Sequence, residues 1–357
     1  MSFFFISVTL ILWGMTAAIM GWLAWAFPAL PRRIVVLVLP IMISAFIIFG
    51  ITYTRAHYHA GTDLLYYASY ILFGCVFIAF CVAAGCAFLH FILWICRAPR
   101  AWLGPASVLL IVSACAVAVW GGFRAPPLKI IPISSPKLPK LKIALLSDTH
   151  LGRGVSLARF DDVMNRLQAE QPDVLFVLGD IFEYGQNRAA YAARIRQFSA
   201  PLGKYGVLGN HEYYVGYENS LKFYKDSGLT LLQNGVTELS NGVQVAGVSD
   251  IQTTRLTPPE IVQRLQQADP AKPLIFLSHI PTYTEEIAAA GTDLMFSGHT
   301  HNGQIWPFTY LVKSRFARMY GLFNVSGMYL YVTSGVFYWG MPMRLFASSE
   351  LPIVEVN

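Results

Sequence analysis

The stretch Leu141-Lys-Ile-Ala-Leu-Leu-Ser-Asp-Thr-His150 decides the fold of the larger part of this chain. Its apolar run, Leu141–Ser147, predicts a buried strand, and the strand is followed at once by polar side chains that can bind metals. The same order, an apolar run followed by polar residues, recurs downstream at 174–178, 206–208, 274–277 and 294–296. These five predicted strands each have functional groups at the carboxyl end, and a sixth buried strand is predicted at Val243–Val248.

Amphipathic segments separate these strands. Their spacing of apolar residues predicts helices over 157–169, 187–199, 217–227 and 257–268. From about Met328 the sequence returns to strand-like runs, at Tyr329–Thr333 and Pro352–Val356. The alternation predicts an α/β fold with helices covering a sheet, and the tail favours a mixed sheet or two packed sheets.

The polar residues at the strand ends form a coherent set of candidate ligands. They are Asp148, His150, Asp180, Asn210, His211, His279, His299 and His301. Because loops at the carboxyl ends of strands converge at one edge of an open α/β sheet, we expect one shared site. All five histidines of residues 141–357 lie in these turns, which scattered structural histidines would not do. The nitrogen and oxygen donors, without thiolate, suit Mn, Fe or Zn.

Five motifs in this order resemble the calcineurin-like metallophosphoesterase superfamily: Asp148-x-His150, Gly179-Asp180-x-x-Glu183, Gly209-Asn210-His211-Glu212, His279 and Gly298-His299-x-His301. The resemblance covers about 141–357 and implies a calcineurin-like αββα sandwich of mixed sheets. The sequence 298–304, followed by 342–344 and 350–352, is similar to the bacterial branch of small membrane-associated or exported phosphoesterases.

The resemblance also implies two divalent metal ions, Mn, Fe or Zn, that share the bridging ligand Asp180. One ion would be bound by Asp148, His150, Asp180 and His301. The other would be bound by Asp180, Asn210, His279 and His299. A hydroxide held between the ions would then attack the phosphorus atom.

Four further residues receive expected roles around this centre. His211 would be the catalytic residue that protonates the leaving group. Glu212 could orient the His211 ring, and Arg344 could bind a substrate phosphate or simply pair with a nearby acid. At position 183 family members usually have Asp, and for Glu183 a structural or solvated carboxylate is at least as good an interpretation as a catalytic one.

Charge divides the chain into three parts. The 357 residues are 55% hydrophobic and 13% charged, with a net charge of +6. Residues 1–122 hold five arginines and one aspartate, residues 123–142 hold five basic and no acidic residues, and residues 143–357 hold 16 basic and 19 acidic residues. A nucleic-acid-binding body should itself be basic, so no nucleic-acid partner is expected.

Four apolar runs precede the α/β body, and each is long enough to cross a bilayer: Ser2–Phe27, Ile34–Tyr53, Leu64–Cys96 and Leu103–Phe123. Three spans are the alternative, if the second run lies at the interface. The first run has no basic residue before it and exceeds the apolar part of a signal peptide, so we expect it to be retained. Because no acidic residue lies inside a run, an ion-coupled transporter is disfavoured.

Residues 124–140 hold five prolines and predict a semi-rigid basic linker, which gives domains of 1–123, 124–140 and 141–357. With four spans, the short loops with Arg32, Arg33, Arg97 and Arg100 lie on one side, which the positive-inside rule assigns to the cytoplasm. The catalytic domain of this multi-pass membrane protein is then expected on the extracytoplasmic side. All five cysteines lie within or at the edges of the spans, so they do not decide the compartment.

These features predict a membrane-anchored dinuclear-metal phosphoesterase that hydrolyses a phosphodiester or pyrophosphate. The basic and aromatic segment 306–323 favours an amphiphilic, lipid-linked substrate at the bilayer, although an ordinary amphipathic loop has the same pattern. The alternatives are a membrane-held protein phosphatase or nucleotide phosphodiesterase, and a non-catalytic metal-stabilised scaffold or receptor. A decayed site would have lost ligands, and every expected ligand is present. The oligomeric state does not follow from the sequence.

Overall fold

The computed structural model describes residues 2–357 and divides into two compact units. The first unit runs to Phe123 and also contains Ile305–Pro307 and Gly340–Leu345. The second unit holds the rest of the chain from Arg124 onward. Two short segments from the last sixth of the sequence therefore fold with the N-terminal helices.

Four long apolar helices make up most of the first unit: Ser2–Ala26 (α1), Leu39–Ala56 (α2), Asp63–Ile95 (α3) and Leu103–Phe123 (α4). Each is long and apolar enough to cross a membrane, which confirms the predicted count of four. Large apolar side chains such as Ile11 and Leu109 are more than 60% exposed. Side chains of this kind are stable on an outer surface when that surface faces lipid.

Glycines let the segment Gly340–Leu345 approach the helices of this unit closely. A Cβ atom at Gly121 of α4 would clash with the carbonyl oxygen of Arg344, and one at Gly74 of α3 would clash with the Met343 sulfur. The Arg344 N–H donates a hydrogen bond of 2.7 Å to the Ala118 carbonyl. A non-helical segment is thus packed on two apolar helices with a backbone polar group satisfied.

The second unit is built on two six-stranded sheets. In spatial order, the first sheet contains Leu128–Ile133 (β1), Leu351–Val356 (β12), Leu141–Leu146 (β2), Val174–Val177 (β3), Lys204–Gly206 (β4) and Thr230–Leu231 (β5). The second contains Gly321–Val325 (β10), Met328–Val332 (β11), Leu294–Ser297 (β9), Leu274–Leu277 (β8), Gln244–Gly247 (β7) and Gly235–Glu238 (β6). Both sheets mix parallel and antiparallel pairs.

Eight α-helices and the short 3-10 helix His301–Gly303 accompany the sheets, and the α-helices are Leu157–Ala169 (α5), Arg188–Gln197 (α6), Asn210–Tyr214 (α7), Tyr217–Asp226 (α8), Ile251–Thr254 (α9), Pro258–Leu265 (α10), Thr284–Ala289 (α11) and Phe308–Arg315 (α12). Three apolar layers hold this unit together. Phe160 of α5 packs on the first sheet, Phe176 and Phe296 meet between the sheets, and Ile261 of α10 packs on the second sheet. Helix, sheet, sheet and helix follow in that order, which confirms the predicted αββα sandwich of mixed sheets.

Both faces of β3 and β8, and of β2 after Lys142, are buried, which explains their apolar runs. In β2, Ile143 and Leu145 point between the sheets, while Ala144 and Leu146 point toward the helices. Strands β2, β3 and β4 run parallel, as do β7, β8 and β9. The carboxyl ends of the strands in each of these sets therefore meet at one edge of their sheet.

Two predicted boundaries differ from the structure. The segment 124–140, predicted to be a linker, contains β1, which pairs in parallel with β12 from Leu128↔Leu351 to Ile133↔Val356. Pro132 has no N–H to donate and fits because β1 is an edge strand. The strand predicted at 206–208 lies instead at Lys204–Gly206, and the buried Val207 that follows it still donates its N–H to the Val177 carbonyl of β3 at 2.9 Å.

Candidate metal centre

Loops from both sheets carry the predicted ligands to one place. The loop after β2 holds Asp148, and the loop after β9 holds His299, whose N–H lies 3.1 Å from Asp148 Oδ1 and donates to it. The ring of His279, after β8, donates from Nδ1 to the Leu178 carbonyl after β3 at 2.7 Å. The strand ends of the two sheets thus meet at a single site.

One group of ligand atoms consists of Asp148, His150 and His301, whose donor atoms all lie within 4.8 Å of one another. The Nε2 atoms of His150 and His301 are 3.1 Å apart, and Asp148 Oδ1 lies 3.3 Å from His301 Nε2. All three residues are buried. Two imidazole nitrogens and a carboxylate oxygen therefore converge on one point.

A second group consists of Asp180, His279 and His299, also within 4.8 Å. Asp180 Oδ2 lies 3.2 Å from His279 Nε2, which in turn lies 3.2 Å from His299 Nδ1. The same Asp180 oxygen is 4.0 Å from His150 Nε2 of the first group. Asp180 accordingly faces both groups, as a bridging ligand must.

Asn210 adds an unsatisfied oxygen at the same edge. The next residue, His211, donates its N–H to Asp180 Oδ1 at 2.9 Å. The Asn210 Oδ1 atom is buried and has no hydrogen-bond partner among residues 2–357. Because a buried amide oxygen without a partner is costly, a cation is a natural occupant of this place.

The donor set fits two divalent ions. Imidazole nitrogens and carboxylate oxygens that converge within 4.8 Å of one another offer several donor atoms to one point, as a metal ion requires. His150 and His279 each use their other ring nitrogen in a hydrogen bond, to Glu183 and to Leu178. Metal-binding histidines usually have such an outer partner, which fixes the ring.

The backbone is strained at the ligand positions. Five of the seven predicted ligands have φ between +42° and +70°: Asp148, His150, Asp180, His299 and His301. Residues other than glycine rarely adopt this left-handed region, and such strain concentrates at functional sites. Gly298 is necessary here because a Cβ atom would clash with Ser147 Oγ and Asp148 Oδ2.

Glu183, not Glu212, orients the His211 ring. Glu183 Oε1 lies 2.5 Å from His211 Nδ1 and accepts a hydrogen bond of 2.8 Å from His150 Nδ1. Glu212 instead accepts hydrogen bonds from three backbone N–H groups, those of Asp180, Ile181 and Gly209, at 2.7–2.9 Å. The expectation for Glu212 is therefore wrong, because its carboxylate satisfies the backbone around Asp180 and does not reach the ring.

Charge is strongly polarised in this site. Burial opposes ionisation of Glu183, but hydrogen bonds from His150 and His211 lower its pKa to about 2. Burial also opposes the charged form of His211, yet contact with Glu183 and the nearby Asp180 raise its pKa. His279 has a pKa raised to about 10, since Asp180 outweighs the effect of burial, and burial together with charged His279 lowers the pKa of His299 to about 3.

Aromatic rings surround the His211 side of the site, and nothing in the sequence spacing indicated them. The His211 ring lies 5.1 Å from the Tyr214 ring and 5.9 Å from the Trp339 ring, both of which are partly exposed. On the other side, Phe316 lies 5.5 Å from the His299 ring. Arg344 belongs to the first unit and is buried, and its predicted phosphate contact stays a prediction.

Comparison with known proteins identifies relatives of this sequence. The family model for calcineurin-like phosphoesterases matches residues 141–303. An uncharacterized metallophosphoesterase of Aquifex aeolicus is 35% identical over 234 residues, which cover 63% of this chain and 89% of that protein. One from Helicobacter pylori strain J99 is 34% identical and covers 66% of each chain. A transmembrane protein with a metallophosphoesterase domain from Danio rerio is 30% identical, over 69% of this chain and 61% of its own length. The chain spans about two thirds of the length of the last two relatives.

Proposed function

Because the chain belongs to the calcineurin-like phosphoesterase family and is a metal-dependent phosphoesterase, we propose that it hydrolyses a phosphodiester or pyrophosphate bond in a lipid-linked, amphiphilic substrate. The observation that carries the proposal is the pair of converging groups of candidate ligands, all buried except the half-buried His299, beside a histidine held by Glu183. The four apolar helices support action at a membrane.

We assign one divalent ion to Asp148, His150, Asp180 and His301, and the other to Asp180, Asn210, His279 and His299. The two groups of converging donor atoms and the buried, unpaired Asn210 oxygen support this assignment. When bound, two such ions supply Lewis-acid activation of a water nucleophile and of the phosphoryl oxygens.

The residues of the chain supply the remaining chemistry. His211 donates a proton to the leaving oxygen, since contact with Glu183 favours its charged form. Glu183 binds Nδ1, so Nε2 is the nitrogen available for proton transfer. Glu212 holds the loop that carries Asp180 through its three backbone hydrogen bonds, which keeps the bridging carboxylate in place.

We further propose that the catalytic unit lies on the extracytoplasmic side. The support is the set of four arginines in the two loops that four spans place on the opposite side. Cleavage by added protease in intact cells and in inverted vesicles tests this orientation. Cleavage of the catalytic unit only in inverted vesicles would refute it.

The function is tested with the full-length protein in detergent with added Mn. We expect hydrolysis of bis(p-nitrophenyl) phosphate, lost in an Asp180→Asn, His211→Ala double variant and kept in Glu218→Gln, which changes an exposed carboxylate of α8. Activity that survives the double variant would refute the mechanism. Parallel assays with diacylglycerol-linked pyrophosphates, nucleotides and phosphopeptides separate the proposed substrate class from the nucleotide and protein alternatives, and inactivity of the metal-loaded protein on all of them would favour a scaffold.

A further inference from the structure

Helix α12 packs directly against the turn that carries His299 and His301, two of the proposed ligands. A Cβ atom at Gly303 would clash with the backbone of Thr309, so the helix lies against this turn. Beyond its carboxyl end, Phe316 contacts the His299 ring, and Thr300 Oγ1 donates a hydrogen bond of 2.5 Å to the Met319 carbonyl. Because α12 is held at both ends, its position is coupled to that of the metal centre.

The outer side of α12 is unusually apolar for an exposed surface. None of its eight residues, all of which the structure describes, is buried. Thr309 and Val312 are half-buried and lie three positions apart, on the side toward the domain. Leu311 is 62% exposed, and Phe308 and Tyr310 are 44% and 67% exposed. Large apolar side chains at this density mark a surface that contacts another apolar phase.

Positive charge accompanies these apolar side chains. Lys313 and Arg315 of α12 are exposed, and the sequence has no acidic residue between Asp293 and Glu350. Arg318 is excluded from this set because it pairs with Glu285 at 2.8 Å. In the chain, α12 directly follows Ile305–Pro307, a segment of the unit that contains the four apolar helices. An apolar, basic helix in a chain of this kind has the features of an interfacial helix.

We propose that α12 binds the anionic headgroup region of the bilayer and holds the metal centre at the membrane surface. This inference rests on the proposed function and narrows it, since the phosphate to be cleaved would be taken from a lipid lying in the same surface. The occupant is a lipid surface because its headgroups complement Lys313 and Arg315, while its acyl boundary accepts Leu311.

Hydrogen–deuterium exchange of the full-length protein in nanodiscs tests the proposal without using activity. We expect the amides of α12 to exchange about tenfold more slowly in phosphatidylcholine with phosphatidylglycerol than in phosphatidylcholine alone. A Lys313→Glu, Arg315→Glu double variant should lose this difference. A Lys222→Glu, Lys225→Glu variant, which reverses two exposed charges on α8, should keep it.

Equal amide exchange of α12 in the two lipid compositions would overturn the proposal. So would an α8 variant that loses the difference between the two compositions to the same extent as the α12 variant. Exchange that slows with protein concentration in detergent would assign α12 to a contact between copies of the chain instead. Hydrolysis of bis(p-nitrophenyl) phosphate in detergent is measured in parallel and should be unchanged in the α12 variant. If no form of the protein hydrolyses it, the proposed function fails, while the exchange result still decides the role of α12.

Discussion

Replacing Glu183 with Gln should move the alkaline limit of catalysis to lower pH. Glu183 Oε1 lies 2.5 Å from His211 Nδ1, and its carboxylate is largely buried. Glutamine keeps the size of the side chain and one acceptor oxygen, so His150 retains a partner. The negative charge that favours protonated His211 is removed.

The contact that the variant loses favours the protonated form of His211. A hydrogen bond to a charged group contributes about 1.5–3 kcal/mol. Its loss should therefore lower the pKa of His211. Because His211 acts in its protonated form, activity is lost as pH rises through this pKa, and the loss should occur at lower pH in the variant. Glu183, with a pKa of about 2, stays ionised throughout.

The assay is kcat against pH for two phosphodiesters, one with an alkyl and one with a nitrophenyl leaving group. An alkoxide requires protonation and nitrophenolate hardly does, so the shift should appear with the alkyl substrate. Glu183→Asp keeps the negative charge, so its alkaline limit should lie between those of Glu183→Gln and the wild type. Glu218→Gln should have the same alkaline limit as the wild type. Bound metal is measured in each variant, because Glu183 also contacts the proposed ligand His150.

An alkaline limit at the same pH in the wild type and in Glu183→Gln, with metal content unchanged, would refute the reasoning. It would mean that His211 does not supply the proton or that Glu183 does not control its pKa. A loss of metal in Glu183→Gln with an unshifted limit would instead make Glu183 a support for His150 alone.

Three further predictions concern the ligands and the core. Asn210→Ala should lower bound metal, measured by elemental analysis, from two ions per chain to about one, whereas unchanged content would remove Asn210 from the ligand set. Gly298→Ala should weaken metal affinity by about 10- to 100-fold, since its Cβ would displace Asp148 Oδ2, and wild-type affinity would contradict this. Glu350→Ala should destabilise the protein by about 2–3 kcal/mol in thermal unfolding. The reason is that buried Glu350 accepts hydrogen bonds from the Tyr331 hydroxyl at 2.7 Å and the Ser334 N–H at 3.2 Å, and pairs with half-exposed Lys129 at 3.1 Å. The control Glu355→Ala, which breaks only a surface pair with Lys142, should cost less than about 1 kcal/mol, and equal losses would count against a special role for Glu350.

The candidate ligands could be expected at one place from the sequence because of how parallel strands are built. In β2 after Lys142, and in β3, β8 and β9, the residues on both faces are buried, so each strand contains an apolar run that ends sharply. The polar residues that follow, such as Asp148 and His279, are then expected at the same edge from their positions in the sequence alone. Position along a strand is thus sufficient to predict which side chains share the site.

The partner of His211 could not be predicted in this way. Glu212 is adjacent in sequence, and only the loop conformation shows that its carboxylate turns toward three backbone N–H groups. Glu183 reaches the ring from the loop after β3. Strand β1 escaped prediction for a similar reason, since its partner β12 lies more than 200 residues away and Pro132 interrupts its pattern. The packing of Gly340–Leu345 in the first unit depends on close approach at glycines, which no periodicity reveals.

The buried strands of the sandwich explain how the loops of the candidate ligands can keep a strained backbone. Each non-glycine residue in the left-handed region costs about 1–3 kcal/mol, and Asp148, His150 and Asp180 all adopt it. Such conformations persist only where the surrounding structure holds the backbone in place. Here the fully buried strands fix where each loop starts, and the hydrogen bonds of Glu212 fix the turn at Asp180. The donor atoms therefore converge through the fold itself, so a divalent ion meets a prearranged site and need not organise it.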